Sequence, residues 1–372
     1  MKLTAQMIKD KAAELGIDCI GIGNIERFQG APKLMSPATY FPGAKSVIAV
    51  AMRIPRGTYR GIEEGTHWHN YTFYSYKQLN TLFRPRLSYE LACFIEDHGW
   101  EAALHFPAVP EGHGTIQEPV RGDDVPPDVV CSVRIIAAGC GLGEVGFSKV
   151  FLTKKFGPRV RLGLIFTDCE LEPDPILDTG DICLHCGACT RECPGNAVPS
   201  VKDEKKRLHV SFGEKDIWYG DVRMGRCTLT HHGMNNECSP FLKKEFPNMA
   251  FDVRNSEMTE EEAYILTYTM AEGSWWRKPH SRSIIGYYDY VLNHTGYFAI
   301  CGAKGCIRAC MNALEKAGRT ENKFHNPFYY KDSWTLPNKP IKVSEGLNPF
   351  REAYLDEKYP GVRANEYKKT ED

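Results

Sequence analysis

Apolar positions recur at helical spacing near the start of the chain. Met7, Ile8, Ala12 and Leu15 fall on one side of a helix that Thr4 can cap and Gly16 can stop. Two runs then take on strand character, residues 17–22 and 46–54, the second reading SVIAVAMRI. Leu79, Leu82, Leu87, Leu91, Phe94 and Ile95 restore the helical period and predict a helix ending at 97–99, which Pro85 kinks or caps in its second half. Residues 101–106 read as a strand, 107–128 as a loop rich in Pro and Gly, and 133–138 as a short helix. Strands over 149–153 and 160–167, on either side of Phe156-Gly157-Pro158, predict a hairpin. Mixed α/β character thus holds to about residue 170. Beyond it the periodicity fades: 170–175 is a linker, a cysteine-rich region opens at Asp181, and 331–372 reads as a tail wrapped over the surface.

Composition narrows the class. With 42% hydrophobic and 25% charged residues the chain has the make-up of a soluble globular protein, and 372 residues allow one large domain or two. A net charge of −1 gives no electrostatic reason to expect a polyanion partner, so nucleic acid is not expected. No stretch is long and apolar enough to span a bilayer, and the N-terminus shows neither a signal core nor a twin-arginine pair. A cytoplasmic protein without a membrane partner is the expectation.

Fourteen cysteines need another explanation than disulfides, which belong to small secreted domains. Cys19, Cys93, Cys131 and Cys169 sit in apolar contexts and read as structural thiols. Seven others fall in two tight groups. Cys183-Leu-His-Cys186-Gly-Ala-Cys189-Thr-Arg-Glu-Cys193-Pro194 has the spacing of the bacterial ferredoxin run, in which three thiolates close on one [4Fe–4S] cube and the fourth serves another. Zinc would need only four thiolates and typically pairs C-x2-C with a distant partner. A second group, Cys301, Cys306 and Cys310, follows with looser spacing and Met311 where Pro is common. By ferredoxin logic Cys310 completes the first cluster with Cys183, Cys186 and Cys189. The second then has Cys193, Cys301 and Cys306 and needs one more ligand, with Cys227 or Cys238 as the candidate.

Three passages resemble the family of epoxyqueuosine reductases and reductive dehalogenases, which are corrinoid iron–sulfur enzymes. Ala137-Ala-Gly-Cys-Gly141-Leu142-Gly143-Glu-Val-Gly146 is similar to the family's glycine segment. Residues 151–174, with Phe156-Gly-Pro-Arg-Val-Arg-Leu-Gly163, resemble the strand and turn leading into its ferredoxin domain. Residues 221–230 resemble the segment where epoxyqueuosine reductases place an isolated cysteine ligand, which favours Cys227. The resemblance implies an α+β architecture: a nitroreductase-like α/β corrinoid-binding domain (1–170), then a ferredoxin-like domain with two [4Fe–4S] clusters (171–330) and an insertion at about 199–300. Electrons from an external low-potential donor, ferredoxin or flavodoxin, would pass through the clusters to cobalamin for reductive cleavage of a small organic substrate. Gly141, Leu142, Gly143 and Gly146 would then face the corrinoid; without the resemblance, the same glycines serve a tight turn equally well.

The chain also departs from the family. Where epoxyqueuosine reductases carry a catalytic Asp beside an Arg, Val133-Arg134 keeps only the Arg, so reduction of a tRNA epoxide is not expected. Dehalogenases use a Tyr as proton donor, and the segment from His67 to Tyr76 concentrates candidates, Tyr71, Tyr74 and Tyr76, each of which also reads as helix packing. The insertion suggests a lid over a substrate cavity. Two other readings stay open: an electron carrier that reduces a corrinoid on a partner, and a flavin-dependent reductase.

Overall fold

The computed structural model describes residues 2–61, 70–105, 119, 122, 125, 129–231, 235, 252–272 and 301–328. Helix α1 (Ala5–Leu15) starts where Thr4 accepts the Met7 N–H at 3.3 Å and ends at Gly16, whose φ of +84° places it in the left-handed region. Strand β1 (Cys19–Asn24) begins two residues later than the sequence predicts, because Ile17 N–H is still capping α1 through the Ala12 carbonyl. A short helix α2 (Pro37–Tyr40) leads to β2 (Ser46–Arg53).

The next helix is longer than its apolar period indicates. A wide π-type helix covers Tyr71–Phe83 and passes without a break into α3 (Arg84–Glu96), with Pro85 in the first turn of the α-helical half. The π-helical half buries Tyr71, Ser75 and Leu79, and the hydroxyl in the middle of that set hides it from a search for apolar repeats. Strand β3 (Ala102–Leu104) and helix α4 (Val133–Gly139) follow.

Strands β4 (Glu144–Val145) and β5 (Phe151–Leu152) pair with each other, and β6 (Val160–Thr167) enters the main sheet. The expected hairpin between 149–153 and 160–167 is therefore not formed. Only Thr153 bridges to Gly157, and the chain then carries β6 away to lie between β2 and β3. Apolar residues on both faces explain this: Leu164 and Phe166 feed one core, Ile165 the other, so β6 belongs inside a sheet. The four-stranded sheet runs β1-β2-β6-β3, antiparallel throughout, with Ser46 opposite Thr167 and Arg53 opposite Val160. On one face Ile48, Val50 and Ile165 pack with Ile8, Leu91 and Ile95 of α1 and α3. On the other, Val47, Ala49 and Phe166 pack with Ile136 and Ala137 of α4.

The cysteine-rich part adds α5 (Ala188–Arg191), the hairpin β7 (Arg207–Ser211) and β8 (Asp216–Gly220), α6 (Met224–His231), α7 (Glu260–Glu272), α8 (Cys301–Lys304) and α9 (Cys306–Lys316). Arginines from the sheet side hold α9 and the turn after it. Arg56 lies 3.4 Å from Glu315 and donates to the Asn326 carbonyl at 3.1 and 3.0 Å. Arg159 donates to the Ile54 carbonyl and to Asn322. All described residues fall in one unit, Met1–Trp334. The tail at 331–372 and, within the expected lid, residues 232–234, 236–251 and 273–300 lie outside the described residues. No described helix is long and apolar enough to cross a membrane.

Candidate cluster site

Cys183, Cys186 and Cys189 come from one loop that climbs into α5. Gly187 turns that loop at φ +69°, and His185 takes φ +49° beside it. The loop is fastened from below by Glu144, whose buried carboxylate accepts the backbone N–H groups of Gly180, Ile182 and Cys183 at 2.7, 2.7 and 2.9 Å. Cys310, on α9, faces the same place: all four thiols line one small cavity with Gly146, Ser148 and Leu314. Glu144, Cys183 and His185 also stand within 4.8 Å of one another, but the carboxylate is committed to three backbone donors, and His185 stacks on Trp218 at 4.6 Å.

The other four thiols gather around Cys306. Burial first, then the charges of Cys301, Cys227 and Cys193, hold its thiol well above the ordinary range. Cys227 is pushed up to about 12, by burial and then by Cys301 and Cys193. Helix α6 delivers Cys227, and two contacts fix that helix. Arg226 donates to the Val253 and Ser256 carbonyls at 2.7 and 2.5 Å, and Glu260 accepts the Gly225 N–H at 2.6 Å. Gly305 lets the turn between Cys301 and Cys306 approach Pro194, whose Cδ would stand 3.0 Å from a Cβ there. In the first group burial likewise raises Cys183, takes Cys189 to about 11 and lifts Cys310 well above the thiol range. Cys306 also senses Cys189, and Cys310 senses Cys306, so the two groups adjoin. Cys238 lies outside the described residues.

Of the remaining candidates, Arg134 and Tyr71 lie beside the second group of thiols, Tyr76 joins Tyr71 through Arg161, and Tyr74 lies apart. Arg134, in the first turn of α4, lies near enough to Cys227 for its charge to act on that thiol. Tyr71 is fully buried, and its ring meets Tyr59 at 5.1 Å. Tyr76 carries the Arg161 guanidinium over its ring at 4.8 Å and touches His231 at 5.4 Å. Tyr74 is half exposed and lines a surface groove with Asp18, Arg53 and Thr58, apart from the thiols. Gly141 (φ +72°), Gly143 and Gly146 press against the chain itself. A Cβ on Gly141 would stand 2.5 Å from the Pro175 carbonyl, one on Gly143 would strike the Leu152 carbonyl, and one on Gly146 would crowd Leu152. Leu142 is buried among the residues of the α4 core. The segment's glycines are thus accounted for by packing. Sequence reasoning missed two residues, Glu144 and Arg161. The acid inside the glycine segment was a visible signal; Arg161, alternating with apolar residues of β6, was not.

Comparison with known proteins gives a local relationship. No family model matches. The tetrachloroethene reductive dehalogenase of Desulfitobacterium hafniense is 34% identical over 121 residues, which is 32% of this chain and 18% of that protein. The tetrachloroethene reductive dehalogenase of Sulfurospirillum multivorans is 41% identical over 89 residues, 23% of this chain and 18% of that one. The matched segment therefore spans less than a fifth of those relatives' length. Among solved structures, a catabolic reductive dehalogenase aligns at TM-score 0.42 and 16% identity over 90% of this chain and 42% of its own. Epoxyqueuosine reductase from Streptococcus thermophilus aligns at TM-score 0.35 and 18% identity over 52% and 53%. The curated relatives agree with the resemblance carried by the chain's own motifs: over the matched segment the chain is similar to reductive dehalogenases.

Proposed function

We propose that this chain is an iron–sulfur reductase of the reductive dehalogenase kind. In this reading Cys183, Cys186, Cys189 and Cys310 hold one [4Fe–4S] cluster, and Cys193, Cys227, Cys301 and Cys306 hold a second. One observation carries it: eight thiols from three separate stretches of chain, 183–193, 227 and 301–310, gather into two adjoining groups of four. Burial makes most of these thiols hard to ionise, and a buried set of that kind gives up its protons only to a cation that takes the charge, as iron does. The donor set fits the clusters. They would supply one-electron transfer at low potential.

The chain's own residues do the rest. Glu144 fixes the loop that carries three of the thiols. Phe147, Leu152, Ile182, Val198 and Leu314 pack around Cys183 and Cys193 and keep water from them, which favours the less charged state of a cluster. Tyr76, with a guanidinium over its ring, suits a proton donor better than Tyr71, whose hydroxyl burial holds above its ordinary range. Arg134, beside the second group, is placed to hold an anionic substrate or product. Cobalamin as the final electron acceptor comes from the resemblance. The contacts made at 141–146 are those of packing within the chain, and no step is routed through the corrin.

The reading includes a nitroreductase-like part over 1–170 and a ferredoxin-like part over 171–330, a ferredoxin or flavodoxin as donor, a small halogenated or similarly reducible organic substrate, and a cytoplasmic setting. Its test is anaerobic purification with cobalamin supplied, then iron and cobalt analysis with EPR. About eight irons and one cobalt per chain support the whole proposal. Eight irons without cobalt leave an electron carrier, and bound flavin would replace the corrinoid. Four irons or fewer overturn the ligand assignment.

A further inference from the structure

Strand β6 carries a cation into the space between the sheet and the second group of thiols. The partly buried guanidinium of Arg161 donates through Nε to the Ser75 carbonyl at 2.8 Å and through Nη2 to the Tyr71 hydroxyl at 3.2 Å. Tyr76 covers it. Among the described residues Arg161 makes no ion pair. Arg84, buried and close enough for the two charges to repel, makes none either: it donates to the Asn80 carbonyl, and its Nε has no partner. Two neighbouring arginines without a carboxylate are expensive to desolvate, so the site calls for an anion nearby.

The Tyr71 phenol points to where that anion sits. Its hydroxyl lies against Gly302, so closely that a Cβ there could not be accommodated. Gly302 directly follows Cys301 in α8, and the charges of both Cys301 and Cys306 reach the phenol. Because Tyr71 accepts from Arg161, its own proton is left to be given away. Among the described residues the hydroxyl has no other hydrogen-bond partner. Cation and phenol together thus reach from β6 to the helix that carries Cys301.

We infer that Arg161 is the fixed countercharge of the second cluster and acts on it through the Tyr71 hydroxyl. Resting on the two-cluster reading but not on any substrate, this makes Arg161 and Tyr71 positioning residues that set the cluster's potential. A nearby positive charge and a donated hydrogen bond both stabilise the state with the extra electron, and so raise the midpoint potential of that cluster. The thiols whose charges act on the Tyr71 phenol are Cys301 and Cys306 of the second group, so the first group is affected less.

The test is a redox titration of the anaerobically purified full chain followed by EPR, with iron counted in every sample. In Arg161→Gln at full iron content, the midpoint of one cluster is expected to move to more negative potential while the other stays. Arg161→Lys should bring it back toward wild type. Tyr71→Phe, which removes only the hydroxyl, should move the same cluster the same way by less, and it decides the matter if Arg161→Gln does not keep its iron. Two unmoved midpoints in these variants at eight irons overturn the inference and leave the two-cluster reading standing. A wild-type protein with four irons or fewer overturns both.

Discussion

The Glu144 carboxylate accepts the Cys183 N–H at 2.9 Å from a strand that lies nearly forty residues earlier in the chain. With Gly180 and Ile182 bonded to the same carboxylate, the whole entry to the cysteine loop hangs on one buried acid. The Ile182 and Cys183 N–H groups would otherwise be buried without an acceptor, and the Gly180 N–H partly so.

Glu144→Ala should therefore destabilise the protein by about 2–4 kcal/mol, the usual cost of orphaning buried donors around a lost charge. Glu144→Gln keeps one acceptor oxygen and should lose less. Anaerobic urea unfolding measures both. Equal stability of Glu144→Ala and wild type would mean that water replaces the carboxylate at no cost.

The glycine segment separates packing from cofactor binding. A Cβ on Gly143 meets the Leu152 carbonyl and the Phe151 ring, whereas one on Gly30 meets nothing within 4 Å. Gly143→Ala should cost about 1–3 kcal/mol whether or not cobalamin is supplied, and Gly30→Ala close to nothing. A Gly143→Ala protein of normal stability that no longer retains cobalamin would assign a cofactor role to this segment.

His105 gives the acid side of the stability curve a specific source. Cys131 N–H donates to its Nε2 at 3.1 Å, which leaves the ring proton on Nδ1. Burial, and then the charge of Arg84, lower the imidazole from 6.5 to about 4. The folded state thus binds fewer protons than the unfolded state between those values, and stability falls as pH drops from 6.5 toward 4. The full effect is about 3 kcal/mol and about 2 kcal/mol is lost by pH 5. His105→Gln removes this component, so the stability gap between wild type and variant should shrink by about 2 kcal/mol between pH 7 and pH 5. Anaerobic unfolding at both pH values checks it, and parallel pH dependences would refute the assignment.

What the sequence revealed follows from how local each signal is. Helix α1, strand β2 and helix α4 are read from caps and apolar runs of a few residues, and they stand where those signals put them. The hairpin before β6 failed because strand pairing is decided by which faces are buried, and β6 has two buried faces that only a central position satisfies. The π-type helix was half hidden because its buried positions include a hydroxyl and a phenol. In the candidate site, cysteine spacing exposed one group of thiols directly. Arg161 was invisible because its neighbours Ser75, Tyr71 and Gly302 are brought together only by the fold.

The last ligand of the second group remains the sharpest choice. Cys227 sits on α6 with its thiol under the influence of Cys301 and Cys193, and the helix is clamped there by Arg226 and Glu260. A thiol that free water cannot ionise, surrounded by three others, has iron as its reason to be there. Cys227→Ala should therefore lower the iron content from about eight to about four per chain and abolish one of two EPR signals, because a cubane with three thiolates is lost more readily than kept. Cys238→Ala should keep about eight irons. The reverse pattern would hand the ligand role to Cys238 and make Cys227 a buried structural thiol.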